Sequence, residues 1–287
     1  MPVIGMQGFR PPACTPAYLL TDIRTYKNGF GAPVSEKNRI FAFCNIGTFQ
    51  RNIMKIALIG YGKMGHAIEA MAARRGHTVA CIVDRGAESG EWRVVSGEWK
   101  AEEIDVAIEF TTPATAVANI RRCWAAGLPV VCGTTGWDAE RPAVEAECRA
   151  GGHTLFAASN FSIGMNIMFA LNEHLAALMR GKEDYSVSIT ETHHIHKLDA
   201  PSGTALTLRN QIAENGGRSA AEIPIESIRE GEVPGTHTVV YDSAIDTITL
   251  THEAHSREGL ALGALLAAEY TVGRKGVLSM REMISEL

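Results

Sequence analysis

Residues 191–205 form the densest polar stretch of the chain: Glu191-Thr192-His193-His194-Ile195-His196-Lys197-Leu198-Asp199-Ala200-Pro201-Ser202-Gly203-Thr204-Ala205. Imidazole titrates near neutrality, so His193, His194 and His196 can give or take a proton in water, and Lys197 adds a positive charge. The alternating run YSVSITET at 185–192 predicts a strand just before them. Pro201-Ser202-Gly203-Thr204 reads as a helix start, whose first backbone N–H groups lack intrahelical partners and attract an anion. Acid catalysis joined to carboxylate binding is the favoured reading. A metal site is the rival, with three histidines in four residues. Against it, adjacent His193 and His194 point to different sides of an extended backbone, no H-E-x-x-H spacing exists, and no carboxylate or cysteine cluster is expected beside them. A solvated basic loop is the blander alternative, weakened by the helix start that follows.

A second constellation begins at Met54. The apolar run 55–60 (KIALIG) leads into Gly60-Tyr61-Gly62-Lys63-Met64-Gly65, and a helix is predicted over 67–75, stopped by Gly76. The apolar run 77–83 ends at Asp84, where the second strand of a βαβ unit should finish. Among 28 glycines a lone G-x-G-x-x-G is weak, but strand, glycine turn, helix and a correctly spaced acid together indicate a dinucleotide site. Gly60 permits the tight turn, Gly62 lets backbone approach a pyrophosphate, and Gly65 lets helix pack on strand. Asp84 would accept from ribose hydroxyls and favour NADH, whereas Arg85 could pair with a 2'-phosphate, so NADPH stays open.

The elements that must position these groups continue the alternation. Strands are predicted at 104–110, 130–132 and 154–158, with helices at 113–126 and 138–150. Such a pattern implies an α/β fold with a Rossmann-like, doubly wound parallel sheet. Its ligand-lining loops would be 110–113, Gly133-Thr134-Thr135-Gly136, and Ala158-Ser159-Asn160-Phe161; helix capping is the competing role for Thr111, Thr134 and Thr135. A long helix at 162–179 then precedes antiparallel strands at 238–241 and 247–251, the mark of a second α+β domain with a mixed or antiparallel sheet. Helices at 260–270 and 280–287 are expected to return to the first domain. The division expected is thus 54–160 with 256–287 for the dinucleotide, and 161–255 for substrate and oligomerisation.

Composition bounds the rest. At 46% hydrophobic and 21% charged the chain buries a core, and a net charge of −5 gives no bulk positive field for nucleic acid or acidic membranes. No run is apolar enough to span a bilayer. Cys14, Cys44, Cys81, Cys123, Cys132 and Cys148 form no C-x-x-C pair, which fits reduced, buried thiols and a cytoplasmic location. Residues 1–53 carry neither helical nor strand periodicity; a start-site artefact, with translation from Met54, is favoured over a disordered extension or a transit peptide.

Taken together, E-x-H-H-x-x-K-x-D-A-P-S-G-T-A at 191–205, G-x-G-x-M-G at 60–65, G-T-T-G at 133–136 and S-N-F-S-x-G at 159–164 resemble the 4-hydroxy-tetrahydrodipicolinate (dihydrodipicolinate) reductase family, across essentially all of 54–287. The resemblance implies NADPH- or NADH-dependent reduction of 4-hydroxy-tetrahydrodipicolinate to tetrahydrodipicolinate, in lysine and diaminopimelate biosynthesis. In this scheme the ring loses water, hydride adds at ring C4, and the enamine gains a proton at C3. His193 would be the acid, Lys197 the second catalytic cation, and His194, Ser202, Gly203 and Thr204 the substrate grip. Cofactor contacts would fall on Gly60 to Gly65, Asp84, Arg85, Gly133, Thr134, Thr135 and Ala158 to Phe161. No metal and no nucleic acid partner is implied, and a homotetramer is. Two departures stand out: small residues follow Ser256-Arg257-Glu258-Gly259-Leu260, so the return helix could pack differently, and the 86–97 connection is short. Another two-domain nicotinamide dehydrogenase of amino or keto acids, or a non-catalytic dinucleotide sensor, would lack the His/Lys run.

Overall fold

The computed structural model describes residues 53–85 and 92–287. The expectations for residues 1–52, including Cys14 and Cys44, and for the 86–91 connection lie outside the described residues. A first sheet takes strands β1 (Lys55–Ile59), β2 (Thr78–Arg85), β3 (Trp92–Gly97), β4 (Val106–Glu109), β5 (Val130–Cys132) and β6 (Thr154–Ala157), with a late strand, β11 (Gly276–Leu278). Its order is β11-β6-β5-β4-β1-β2-β3, parallel throughout except for the antiparallel edge pair β2–β3. Ile56, Ala57, Leu58 and Ile59 are all buried, as a central parallel strand covered on both faces requires.

Helix α1 (Lys63–Arg75) starts inside the glycine motif, four residues before the predicted Ala67, with Gly62 at its N-cap. First-turn N–H groups lie outside the helical ladder, so the weak helix propensity of Gly65 costs little there. Gly76 ends the helix in the left-handed region at φ +84°, as expected of a glycine stop. Helices α2 (Pro113–Ala125) and α3 (Arg141–Ala150) complete the crossovers, Pro113 occupying the first turn as predicted.

The second sheet has order β10-β9-β7-β8, from β7 (Ser186–His193), β8 (Ile225–Arg229), β9 (Gly235–Asp242) and β10 (Thr247–Ala254). Helices α4 (Ile163–Leu178) and α5 (Gly203–Gly216) cover one face, packing Met165, Met168, Leu208 and Ile212 onto Val187, Ile189, Val239 and Tyr241. The pattern did not announce β3, β8 or β11. β3 is an exposed edge without alternation, β11 has three residues, and β8 alternates over only five.

Helix α6 (Glu258–Thr271) packs against the first sheet, and β11 pairs with β6 beyond it. The small residues that follow Ser256-Arg257 explain its fit. Ala261, Ala264, Ala267 and Ala268 are wholly buried, and a side chain at Gly263 would collide with the Phe161 carbonyl. Glu269 is clamped from the far side by Arg75 (2.8 and 3.0 Å) and His77 (2.9 Å), all three nearly solvent-free. Removing one partner of such a buried cluster costs about 3–5 kcal/mol, because the others are left uncompensated. Helix α7 (Met280–Glu286) closes the chain behind a Ser279–Glu282 capping box.

Candidate active site

The glycine turn is built from backbone. Gly60 stands at φ +94°, and a side chain there would strike the Phe110 carbonyl. A Cβ at Gly65 would lie 2.6 Å from the Gly60 oxygen, whereas at Gly62 it would meet nothing within 4 Å. Gly62 therefore keeps open the approach to the start of α1, which no side chain caps, as a pyrophosphate needs. In front lies a cavity of about 290 Å³ lined by Gly60, Tyr61, Gly62, Asp84, Trp92 and the 110–115 loop. Lys63, Met64 and Gly65 are not part of this lining, Lys63 being exposed and Gly65 buried, and the Arg85 side chain is outside the described atoms.

The threonines of these loops do not cap helices. Thr134 Oγ1 accepts the Thr111 N–H at 2.8 Å, and Thr111 Oγ1 donates to Glu109 and accepts from Asn119 at 3.1 Å. The N-cap of α2 is Thr112, with no side-chain capping bond. Thr111 and Thr134 thus tie two cofactor-side loops together around the fully buried Glu109, which also accepts from the Cys132 thiol at 3.1 Å. Burial and then the charge of Glu109 push that thiol well above its ordinary range.

A second cavity, of about 500 Å³, joins the two sheets' territories. One wall carries Thr134, Thr135, Ala158, Ser159 and Asn160; the other carries His193, Lys197, Asp199, Ser202, Gly203 and Thr204. Gly133 and Phe161 stay out of the lining: a side chain at Gly133 would run into the Phe110 ring, and Phe161 is buried against Phe110 and Phe156. Ser202 caps α5 by accepting the Ala205 N–H at 3.2 Å. Lys197 grips both oxygens of Asp199 at 2.8 and 2.9 Å. Burial raises the Asp199 carboxyl, but Lys197 and the Gly203 N–H more than offset this and hold it below the usual range. An internal carboxylate therefore rests on the ammonium and helix start that the sequence assigns to a substrate.

The three histidines separate. His193 is buried at the junction, His194 turns to Arg257 (3.2 Å), and His196 is exposed beside Glu232 (3.2 Å). Beneath His193 lies a residue the sequence reading passed over. Glu191 is wholly buried, and its Oε1 accepts from the Ser202 N–H (2.9 Å), Ser227 Oγ (2.8 Å) and Arg229 (3.1 Å). Burial alone would raise this carboxyl, but those hydrogen bonds hold it down at about 2. Its Oε2 has no hydrogen-bond partner and lies 3.4 Å from His193 Nε2 and 3.7 Å from His237 Nε2. Burial lowers the pKa of His193, opposed by Glu191, and lowers that of His237 to about 4.

The expectation that no carboxylate accompanies the histidines is corrected here. Ligand atoms of Glu191, His193 and His237 lie within 4.8 Å of one another, a grouping that could hold a metal ion. Arg229 on the same carboxylate and Lys197 nearby already supply positive charge, which a cation would have to displace or tolerate. Glu191 was within reach of the sequence, since positions two apart share a strand face. His237 and Arg229 were not: sheet register alone brings them to Glu191 and His193.

Comparison with known proteins agrees with this geometry. Residues 54–161 match the family described as dihydrodipicolinate reductase, N-terminus, and residues 164–284 match dihydrodipicolinate reductase, C-terminus. The chain is 44% identical over 243 residues to the 4-hydroxy-tetrahydrodipicolinate reductase of Christiangramia forsetii, covering 82% of this chain and 99% of that relative. It is 33% identical over 254 residues to the enzyme of the same name from Acinetobacter baumannii, covering 77% and 92%. The dipicolinate-bound dihydrodipicolinate reductase of Paenisporosarcina sp. TG-14 shares the fold, with a TM-score of 0.67, 22% identity, and coverage of 79% of this chain and 98% of that one. By identity over nearly the whole length of its relatives, the chain belongs to the dihydrodipicolinate reductase family.

Proposed function

We propose that the chain reduces 4-hydroxy-tetrahydrodipicolinate to tetrahydrodipicolinate with a nicotinamide cofactor, a step of lysine and diaminopimelate biosynthesis. The observation that carries this reading is the second cavity, where an imidazole, an ammonium and a helix start face the loops that extend from the glycine-turn sheet. Gly60, Gly62, the start of α1 and Asp84 fit a dinucleotide, and once the 4-hydroxyl has left the ring as water the bound cofactor would supply hydride to ring C4. The chain's own residues do the remainder. Lys197 and the Ser202–Thr204 helix start hold a ring carboxylate in the place Asp199 takes here, and fixed dipoles there need no reorganisation. His193 delivers the proton to ring C3. His194, turned toward Arg257, lies outside the lining and would act only through that arginine.

Asp84 in the cavity wall supports NADH through the ribose hydroxyls, with NADPH as the second coenzyme by way of Arg85. We assign 54–160 with 256–287 to the dinucleotide and 161–255 to substrate and assembly. A homotetramer through the second sheet is supported by its outer face, where Thr190, Thr192, Thr236, Thr238 and Val240 are uncharged and only part-exposed beside the exposed Ile228, with Glu226 and Glu253 at the flanking strands. Among the described residues no helix is long and apolar enough to cross a membrane. Four buried free thiols, Cys81, Cys123, Cys132 and Cys148, suit the cytoplasm.

The test is a coupled assay with the upstream synthase product, following nicotinamide absorbance with NADH and NADPH in separate cuvettes. Oxidation of the cofactor only when that product is present is expected. No oxidation with either coenzyme would end the reading.

A further inference from the structure

Across the second sheet one row of residues is polar and faces the core: Ser227 on β8, Glu191 on β7, His237 on β9 and His252 on β10 stand directly opposite one another. A buried carboxylate in such a row should have all its acceptors filled, since an orphaned buried polar atom costs about 1–3 kcal/mol or more when charged. Glu191 Oε1 has three donors and Oε2 has none. The groups nearest that orphan are two ring nitrogens, His193 Nε2 and His237 Nε2, themselves 3.3 Å apart with the rings edge-on at 72°. His237 Nδ1 is likewise buried without a partner, and Ser202 Oγ stands 3.4 Å from its Nε2. Which ring nitrogen carries a hydrogen here follows from the tautomers, and a proton on His193 Nε2 would offer a donor to the carboxylate and to the facing imidazole nitrogen at once.

Resting on the assignment of His193 as the acid, we infer that Glu191 and His237 are positioning residues that seat the proton His193 donates. In the loaded site the proton resides on His193 Nε2, held by Glu191 Oε2 and His237 Nε2. When it leaves for the substrate, His193 becomes neutral and Glu191 Oε2 loses that donor. The seat is therefore occupied before turnover and empty after it. Other charged groups that bear on the pair are Arg229 from β8, Lys197 from the following loop and His252 from β10. All three disfavour a proton there, which leaves Glu191 as the group that retains it. Burial lowers both imidazoles, and the charge of Glu191 raises them. Without that charge His193 would lose its proton at lower pH, and the alkaline limb of the rate profile would move toward acid.

The experiment compares kcat/KM against pH for the full chain, Glu191→Gln, His237→Gln and His193→Gln. Cofactor and dicarboxylate-inhibitor dissociation constants and thermal melts are measured on the same samples. Glu191→Gln keeps an acceptor for Ser202, Ser227 and Arg229. It is expected to move the alkaline limb down by about one pH unit or more and to lower the rate at neutral pH about tenfold, with recovery in acid. His237→Gln should move the limb the same way by less, and inhibitor affinity should hold within about twofold in both. Isotope-labelled imidazole spectra of the wild-type protein should show the His237 ring resonances moving at the His193 midpoint, before His237 takes up its own proton at lower pH, a readout that survives if a variant fails to fold. An unshifted limb in both variants, or independent titration of the two rings, overturns the seat. If His193→Gln itself stays active, the acid assignment beneath it fails instead.

Discussion

The glycine turn and the histidine cluster are built by opposite means. At the turn, consecutive residues supply backbone, and side chains are absent where a ligand must approach: Gly60 is left-handed, Gly62 is open, and α1 is uncapped. At the cluster, side chains do the work, and they come from four strands, a loop and a helix start. A backbone site is written in a short segment, where an added Cβ strikes backbone at Gly60 and Gly65 and fills the open approach at Gly62. A side-chain site is written in sheet register and tolerates substitution wherever hydrogen bonding is kept.

That contrast can be broken by substitutions, beginning with the strongest. His193→Gln is expected to lower kcat about 100-fold or more with modest change in KM, the usual scale for a lost general acid; steady-state kinetics at saturating cofactor check it. A near-normal kcat would place the acid elsewhere. Lys197→Ala should lower kcat/KM by about tenfold through both parameters, since its charge serves binding and turnover alike. Unchanged values would leave Lys197 as no more than the partner of Asp199.

At the turn, Gly60→Ala should weaken dinucleotide binding and cost about 1–3 kcal/mol of stability, because alanine resists φ +94° and its Cβ meets the Phe110 carbonyl. Chemical denaturation and fluorescence titration with NADH measure the two effects. Equal loss from Gly62→Ala in stability, rather than in binding alone, would contradict the open approach. Asp84→Ala should shift preference toward NADPH by a few-fold, read as the ratio of kcat/KM for the two coenzymes.

The smallest expected effect concerns pH. The folded-state pKa of His237, about 4, lies below the ordinary 6.5, so its neutral burial contributes stability above pH 6.5. That contribution is lost as pH falls through 4, because the unfolded chain takes up the proton first. Denaturation midpoints should therefore fall across this window in the wild type and fall less in His237→Gln. A steeper decline in the variant would reverse the assignment.

Local spacing made the parallel sheet, the glycine turn and the helix start at Ser202 legible, because each depends on residues close in sequence and on backbone rules that act over a few positions, whereas the roles expected of His193 and Lys197 came from the family resemblance. The same rules placed the start of α1 four residues late, since they score glycine as helix-poor even in a first turn where it is not. Strands β3, β8 and β11 were too short or too exposed to carry a period. Tertiary structure alone decided that His194 and His196 turn away, that Asp199 covers Lys197, and that Glu191 meets His237 beneath His193. The physical reason is register: strands far apart in sequence pair through backbone hydrogen bonds, and which side chains then share a row follows from where the pairing locks.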